Sequence, residues 1–191
     1  NAMVVDSTAL PEQVVRDVLV SAFQSAGQRC SALRVLYLQK DIADKVLEML
    51  FGAMDELLIG NPWCLDTDVG PVIDSFAKRR IEDHIARYAQ QGRVLKQLSV
   101  PAHGTFVGPA VLAVDGIGEL SEEVFGPVLH VATFESRDLA QVVSDINSSG
   151  FGLTFGLHTR LDHRVRDVSQ RVMVGNTYIN RNQIGAIVGS Q

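Results

Sequence analysis

Cysteine is scarce in this 191-residue sequence: Cys30 and Cys64 are the only two, and they form no CxxC pair. Such spacing predicts neither a disulfide framework nor a zinc cage, so each cysteine would act alone. Long hydrophobic runs are missing as well, since no stretch approaches the roughly 18 apolar residues of a membrane helix, and the N-terminus lacks the basic-then-apolar layout of a signal peptide. We therefore expect a cytoplasmic protein that does not contact a membrane.

Basic clusters and metal-ligand patterns are also lacking. Lys and Arg number 17 against 22 Asp and Glu, which gives a formal net charge of −5. The pair Arg79 and Arg80 lies in a predicted helix of mixed charge, so nucleic acid is not predicted as a partner. The five histidines show no HExxH or paired ligand spacing. No metal site is therefore predicted.

What the sequence does contain is enough apolar material, 46% of its residues, for a sizeable core. Short apolar runs alternate with segments of helical periodicity, a pattern typical of an α/β fold with an open, mostly parallel sheet flanked by helices. The predicted strands are residues 2–5, 33–38, 108–114, 128–134, 153–158 and 177–180, and the predicted helices are residues 14–26, 41–53, 76–91, 138–147 and 162–172. Gly27 is expected to end the first helix. We predict one domain over residues 1–191, with its working residues at the carboxyl edge of the sheet.

Cys30 follows Gly27 in the turn between a helix and a buried strand. Arg29 and the backbone amides of such a turn favour a thiolate, which is the reactive form of cysteine. The alternative is a buried structural cysteine, which position alone favours. Cys64 lies beside Trp63 in a long predicted loop and is interpreted as a packing residue.

The stretch 122–127 (EEVFGP) combines two acidic residues, an aromatic ring and a Gly-Pro turn just before a buried strand. A carboxylate held there can accept hydrogen bonds from ribose hydroxyls, and an aromatic ring can cover a flat ligand ring. Taken alone, a solvated acidic turn anchored by Phe125 is the simpler interpretation.

Four segments together resemble the aldehyde dehydrogenase superfamily, because GQRCSA, GNPWCLDTDVGP, EEVFGPV and GLTFGLHT occur in that family's order. Glu123 lies 123 − 30 = 93 positions after Cys30, a spacing that suits the family, and the resemblance runs from about Val4 to Gln191. Residues 7–34 and 175–191 (GNTYINRNQIGAIVGSQ) are most similar to the L-glutamate γ-semialdehyde dehydrogenase module of bacterial proline utilization A proteins.

The resemblance implies roles for five residues. Cys30 would be the nucleophile that attacks the aldehyde, and its backbone amide would donate one bond to the oxyanion. Glu123 would hold the nicotinamide-side ribose of NAD, with Phe125 packed near that ribose and ring. Ser31 would help to bind the substrate carboxylate, and Asn180 would have a structural role near the catalytic pocket.

The resemblance also implies that this chain is a truncated catalytic domain. The NAD-binding domain, the general-base glutamate, the loop that anchors the substrate carboxylate and the C-terminal oligomerisation segment would lie elsewhere. The 191 residues alone are expected to fold, to be inactive and to self-associate through exposed interdomain surface. The parent would be a homo-oligomer with a proline dehydrogenase module as partner.

Two alternatives stay open at this point. Another aldehyde, for example succinate semialdehyde, would keep the chemistry but change the substrate. A noncatalytic structural module would keep Cys30 for packing. Asn1, Ala2 and Met3 are either native sequence or a vector remnant.

Overall fold

One seven-stranded sheet forms the centre of the computed structural model, which describes residues 1–186. The strands are β1 (Ala2–Val5), β2 (Val35–Gln39), β3 (Val94–Gln97), β4 (Ala110–Ala113), β5 (Val128–Phe134), β6 (Thr154–His158) and β7 (Asn176–Ile179). Their order across the sheet is β3-β4-β5-β2-β1-β6-β7, and every neighbouring pair is parallel except β3 with β4. The predicted α/β class and mostly parallel sheet are confirmed.

Five α-helices connect and cover these strands within the described residues: α1 (Pro11–Phe23), α2 (Lys40–Asp55), α3 (Ser75–Gln90), α4 (Leu139–Ser148) and α5 (Asp162–Arg171). Helix α1 begins with Pro11 in its first turn, a position that needs no backbone N–H. Helix α3 is capped by Asp74, whose carboxylate accepts a 2.7 Å bond from the Ala77 amide. Across residues 1–186, none of these helices has the length and apolar character needed to cross a membrane.

The first helix ends earlier than predicted. Helix α1 stops at Phe23, and a tight turn over Gln24–Gly27 follows, in which Ser25, Ala26 and Gly27 all have positive φ. Left-handed backbone at three successive residues cannot continue an α-helix, so the chain turns sharply toward β2.

Strand β3 was not predicted from the sequence. It is an edge strand whose residues alternate between half-buried and exposed positions, and it pairs antiparallel with β4. Only four residues long and half polar, it lacks the continuous apolar run that marks the buried strands.

The core surrounds the interior strands of the sheet, among them β1, whose four residues are all buried. Ala2 and Met3 are 1% and 0% exposed, and the backbone carbonyl of Asn1 accepts bonds from the amides of Arg34 and Val35. Ala2 and Met3 therefore belong to the core of the sheet, and Asn1 bonds to the chain that enters β2.

Candidate functional site

The predicted site residues Cys30 and Glu123 lie at the edge of the sheet where the parallel strands begin, together with Asn1 and Thr154, which the sequence analysis did not single out. Asn1 precedes β1, Cys30 precedes β2 and Glu123 precedes β5, while Thr154 is the first residue of β6. These four strands are neighbours, so their starting points converge. Our expectation of the carboxyl edge is wrong, because the nucleophile loop follows helix α1, which returns the chain to the amino edge.

Both cysteines are exposed. For Cys30 this contradicts the alternative of a structural cysteine buried in the core of this domain. For Cys64 it corrects our prediction of a packing residue. The loop around Cys64 turns outward, held by a bond from the Cys64 amide to the Asn61 carbonyl, and the neighbouring Trp63 is 91% exposed.

Hydrogen bonds from the sheet fix the backbone of the Cys30 loop. The Asn1 side-chain amide donates to the carbonyls of Cys30 and Ala32, at 2.7 and 3.1 Å. The carbonyl of half-buried Ser31 accepts from the Thr154 hydroxyl at 3.0 Å and from the Gln183 side chain at 3.4 Å. The loop carbonyls are thereby directed into the protein, and within residues 1–186 no acceptor takes the backbone amide of Cys30.

Gln183 belongs to the run NRNQIGAIVG (residues 180–189), which is part of the segment 175–191 that carries the family resemblance. Its side chain is fully buried and ties this run to the nucleophile loop. The last part of the run, residues 187–189, lies outside the described residues, as do Ser190 and Gln191.

Arg34 links the Cys30 loop to Glu123. The Arg34 side chain is 4% exposed, and its Nε donates to Glu123 Oε1 at 3.0 Å. Its other nitrogens donate to backbone carbonyls of Gly27, Arg29 and Gly126. Sequence analysis missed this residue, although a lone arginine in the apolar run ALRVLYL signals a buried charge that needs a partner.

The Phe125 ring and the Glu123 carboxylate both reach solvent beside this arginine. Phe125 is 45% exposed, and the Arg34 guanidinium carbon lies 4.9 Å from its ring centroid. The ring is therefore held by a cation–π contact rather than anchored in the core, contrary to the simpler interpretation of this turn. The adjacent Glu122 points elsewhere and forms a 2.7 Å ion pair with exposed Arg80.

The two loops come together at a pair of glycines. A Cβ on Gly27 would lie 2.1 Å from the Gly126 carbonyl oxygen, and Gly27 has a φ of +65°. A Cβ on Gly126 would lie 2.4 Å from the Ile81 side chain. The close approach of the nucleophile loop to the EEVFGP turn therefore requires glycine at position 27, whereas the missing side chain of Gly126 leaves room for Ile81 of α3.

Two buried histidines lie beneath Arg34. His130 Nδ1 is 2.9 Å from the Arg34 carbonyl, and His130 Nε2 is 2.8 Å from His84 Nε2. Because a carbonyl only accepts, Nδ1 of His130 carries a proton, and neutral His130 accepts at Nε2 from His84. His84 Nδ1 then accepts from Arg87 at 3.1 Å. Burial lowers the pKa of His130 to about 4 and also lowers the pKa of His84, so both rings are neutral near pH 7.

Asn180 lies at the opposite edge of the sheet from Cys30. It follows β7 with a φ of +52°, and its side-chain amide exchanges two 2.9 Å bonds with the backbone of Thr159. A structural role for Asn180 agrees with these bonds, but the expected place near the catalytic pocket does not.

Comparisons with known proteins agree with this fold. The model of the aldehyde dehydrogenase family matches residues 1–190. The bifunctional protein PutA of Klebsiella aerogenes is 54% identical over 199 residues, which cover all of this chain and 15% of that protein. A crystal structure of bifunctional proline utilization A (PutA) has a TM-score of 0.97 at 51% identity, covering 100% of this chain and 19% of the other.

A further similar structure is 1-pyrroline-5-carboxylate dehydrogenase from Thermus with bound NAD, at 31% identity and a TM-score of 0.90. The match includes 100% of this chain and 37% of that protein's chain. The chain thus spans well under half the length of the relatives it matches. Because the family match extends over residues 1–190, the chain belongs to the aldehyde dehydrogenase family.

Proposed function

We propose that this chain is the catalytic domain of a longer polypeptide that oxidises L-glutamate γ-semialdehyde to L-glutamate with NAD. The observation that carries the proposal is the exposed Cys30 thiol on a loop whose carbonyls are fixed inward, with Glu123 and Phe125 held on the adjoining turn by Arg34. Relatives named PutA and 1-pyrroline-5-carboxylate dehydrogenase support the substrate class.

The chemistry follows from the position of Cys30. Its sulfur adds to the aldehyde carbon, and the Cys30 amide, which no acceptor within residues 1–186 takes, is available to the developing oxyanion. Loss of hydride from that carbon converts the thiohemiacetal into a thioester. Water then cleaves the carbon–sulfur bond, which releases the carboxylic acid and restores the thiol. When bound, NAD supplies the hydride acceptor for this sequence.

The residues present suit the nicotinamide side of NAD. The Glu123 carboxylate is about one-third exposed, and only its Oε1 is held by Arg34, so Oε2 is available to ribose hydroxyls. The exposed face of Phe125 can pack beside the ribose and ring. We assign Ser31 to the substrate carboxylate, since its carbonyl is fixed while its half-buried side chain makes no hydrogen bond within residues 1–186.

The other expectations from the resemblance remain part of the proposal. The parent would be a cytoplasmic homo-oligomer that also carries a proline dehydrogenase module, as the name bifunctional PutA of the relatives suggests. Residues of that parent outside this chain would supply the rest of the NAD site and the base for thioester hydrolysis.

The two exposed cysteines provide a matched test. In the full-length protein we expect Cys30→Ser to reduce NAD-dependent oxidation of L-glutamate γ-semialdehyde by at least about 10³-fold, since the nucleophile is removed. Cys64→Ser should leave the rate within about twofold. Measuring NADH formation with succinate semialdehyde as well distinguishes the two substrates. Equal activity of Cys30→Ser and wild type would exclude the proposed mechanism.

A further inference from the structure

We propose that Arg34 is a positioning residue that couples the nucleophile loop to the carboxylate of Glu123. This inference rests on the proposed function, because Glu123 is taken there as the ribose ligand. Within residues 1–186 the Arg34 side chain makes no hydrogen bond to the Cys30 sulfur, so it acts through the two loops that it joins.

Four hydrogen bonds from one side chain span both loops. Arg34 Nε donates to Glu123 Oε1 at 3.0 Å, and Nη1 donates to the Gly126 carbonyl at 3.2 Å, both in the EEVFGP turn. Nη1 also donates to the Gly27 carbonyl at 2.7 Å, and Nη2 donates to the Arg29 carbonyl at 3.2 Å, both in the loop that leads to Cys30. No other described side chain bonds to both segments.

The shape of the guanidinium is essential to this arrangement. Its donors point outward in one plane, which allows one group to reach three carbonyls and a carboxylate, while its face lies against the Phe125 ring. A lysine ammonium keeps the charge but has three donors at a single point. Arg34→Lys therefore removes the link while it retains the countercharge to Glu123.

The arginine is itself fixed at its backbone. Its carbonyl accepts two 2.9 Å bonds from His130, one from the backbone amide and one from Nδ1. Because Arg34 immediately precedes β2 and is almost completely buried, its side chain starts from a rigid point. The position of the Glu123 carboxylate is thus fixed by the sheet through Arg34, and not only by the turn in which Glu123 lies.

The test is a double-mutant cycle in the full-length protein, with NAD itself as the probe. We expect Arg34→Lys to raise the dissociation constant for NAD by about tenfold or more, because Glu123 is no longer aimed. In the Glu123→Ala background the same substitution should change the constant by less than about twofold. Additive effects of the two substitutions would overturn the proposal, since they would mean that Arg34 does not act through Glu123.

Arg164→Lys is the matched control. Arg164 also donates to a buried carboxylate, that of Asp6 at 2.9 Å, but at the opposite edge of the sheet. This variant shows how much stability is lost when lysine replaces a paired arginine away from the Cys30 loop. It should leave the affinity for NAD unchanged. If Glu123→Ala itself does not weaken NAD binding, the ribose role in the proposed function fails. If Glu123→Ala weakens binding and Arg34→Lys does not, only the present inference fails.

A second measurement does not require an Arg34 variant to fold and does not involve NAD. Hydrogen–deuterium exchange of the peptide covering residues 24–34 is compared between Glu123→Ala and Glu122→Ala. Because Arg34 ties the loops together, we expect Glu123→Ala to accelerate exchange in this peptide by about tenfold, whereas Glu122→Ala, which only loses exposed Arg80, should not. Equal exchange in the two variants would show that the loops are not coupled through Arg34.

Discussion

At the scale of single residues, several buried polar side chains are bonded to segments far away in the sequence. His130 is the clearest case, since it bridges the Arg34 carbonyl and His84 from a central strand and is 1% exposed. Its ring must stay neutral to accept from His84, and protonation would place a charge between Arg34 and Arg87. The native state therefore disfavours a proton that the unfolded chain accepts.

This predicts a loss of stability in acid. The pKa of His130 is about 4 in the folded protein against 6.5 in an unperturbed histidine, so the unfolded state binds more protons between these values. Neutral His130 contributes fully to the free energy of unfolding above about pH 6.5. This contribution decreases by on the order of 3 kcal/mol as the pH falls toward 4. The free energy of unfolding, measured by urea denaturation at a series of pH values from 4 to 8, tests this prediction.

A histidine replacement separates this effect from acid titration of carboxylates. His130→Asn keeps an amide that can donate to the Arg34 carbonyl but does not titrate, so its unfolding free energy should vary less between pH 4 and 6.5 than that of the wild type. His163→Asn replaces an exposed histidine and should retain the wild-type slope. A wild-type slope in His130→Asn would contradict the assignment.

At the scale of elements, the approach of two turns depends on glycine. We expect Gly27→Ala to lower the free energy of unfolding by on the order of 3 kcal/mol, because the new Cβ adds left-handed strain and would lie 2.1 Å from a backbone oxygen. Gly92→Ala is the matched control: its φ of +68° is similar, but a Cβ there would meet nothing within 4 Å. It should cost only about 1 kcal/mol. Similar losses in the two variants would mean that the contact with Gly126 is unimportant.

How far the sequence predicts this molecule differs among its elements. The strand at 128–134 was predicted with its observed bounds, since a largely apolar run between turn signals is typical of a buried parallel strand. Strand β3 was not predicted because its residues show no apolar run of their own, and it forms a strand through its pairing with β4.

The candidate site was predictable only in part. Cys30, Glu123 and Phe125 were identified through the family resemblance, and their structural setting suits the proposed roles. Arg34 was missed because its partner Glu123 lies 89 positions away, and no local pattern encodes that contact. Likewise, local propensity does not reveal the sheet edge at which a loop emerges, which is why the carboxyl edge was wrongly expected.

At the scale of the whole molecule, the two edges of the sheet have different characters. The amino edge carries the exposed Cys30 and the Arg34 link. The carboxyl edge carries Asp6, which is fully buried and accepts from Thr8, Thr159 and Arg164. Although burial opposes ionisation, these hydrogen bonds lower the pKa of Asp6, so its carboxylate is charged at neutral pH and stabilises the fold there.

Stability and reactivity should therefore be separable by substitution. Asp6→Asn removes the charge that Arg164 faces and should lower the free energy of unfolding by about 3 kcal/mol, since it breaks a buried network. The rate at which iodoacetamide alkylates Cys30 under native conditions, followed by peptide mass spectrometry, should stay within about twofold of wild type. The reason is that the side-chain hydrogen bonds of Asp6 within residues 1–186 all lie at the carboxyl edge. Cys64 provides the internal reference for alkylation in the same sample. A large change at Cys30 with Cys64 unaffected would instead show that the two edges are coupled through the strands between them.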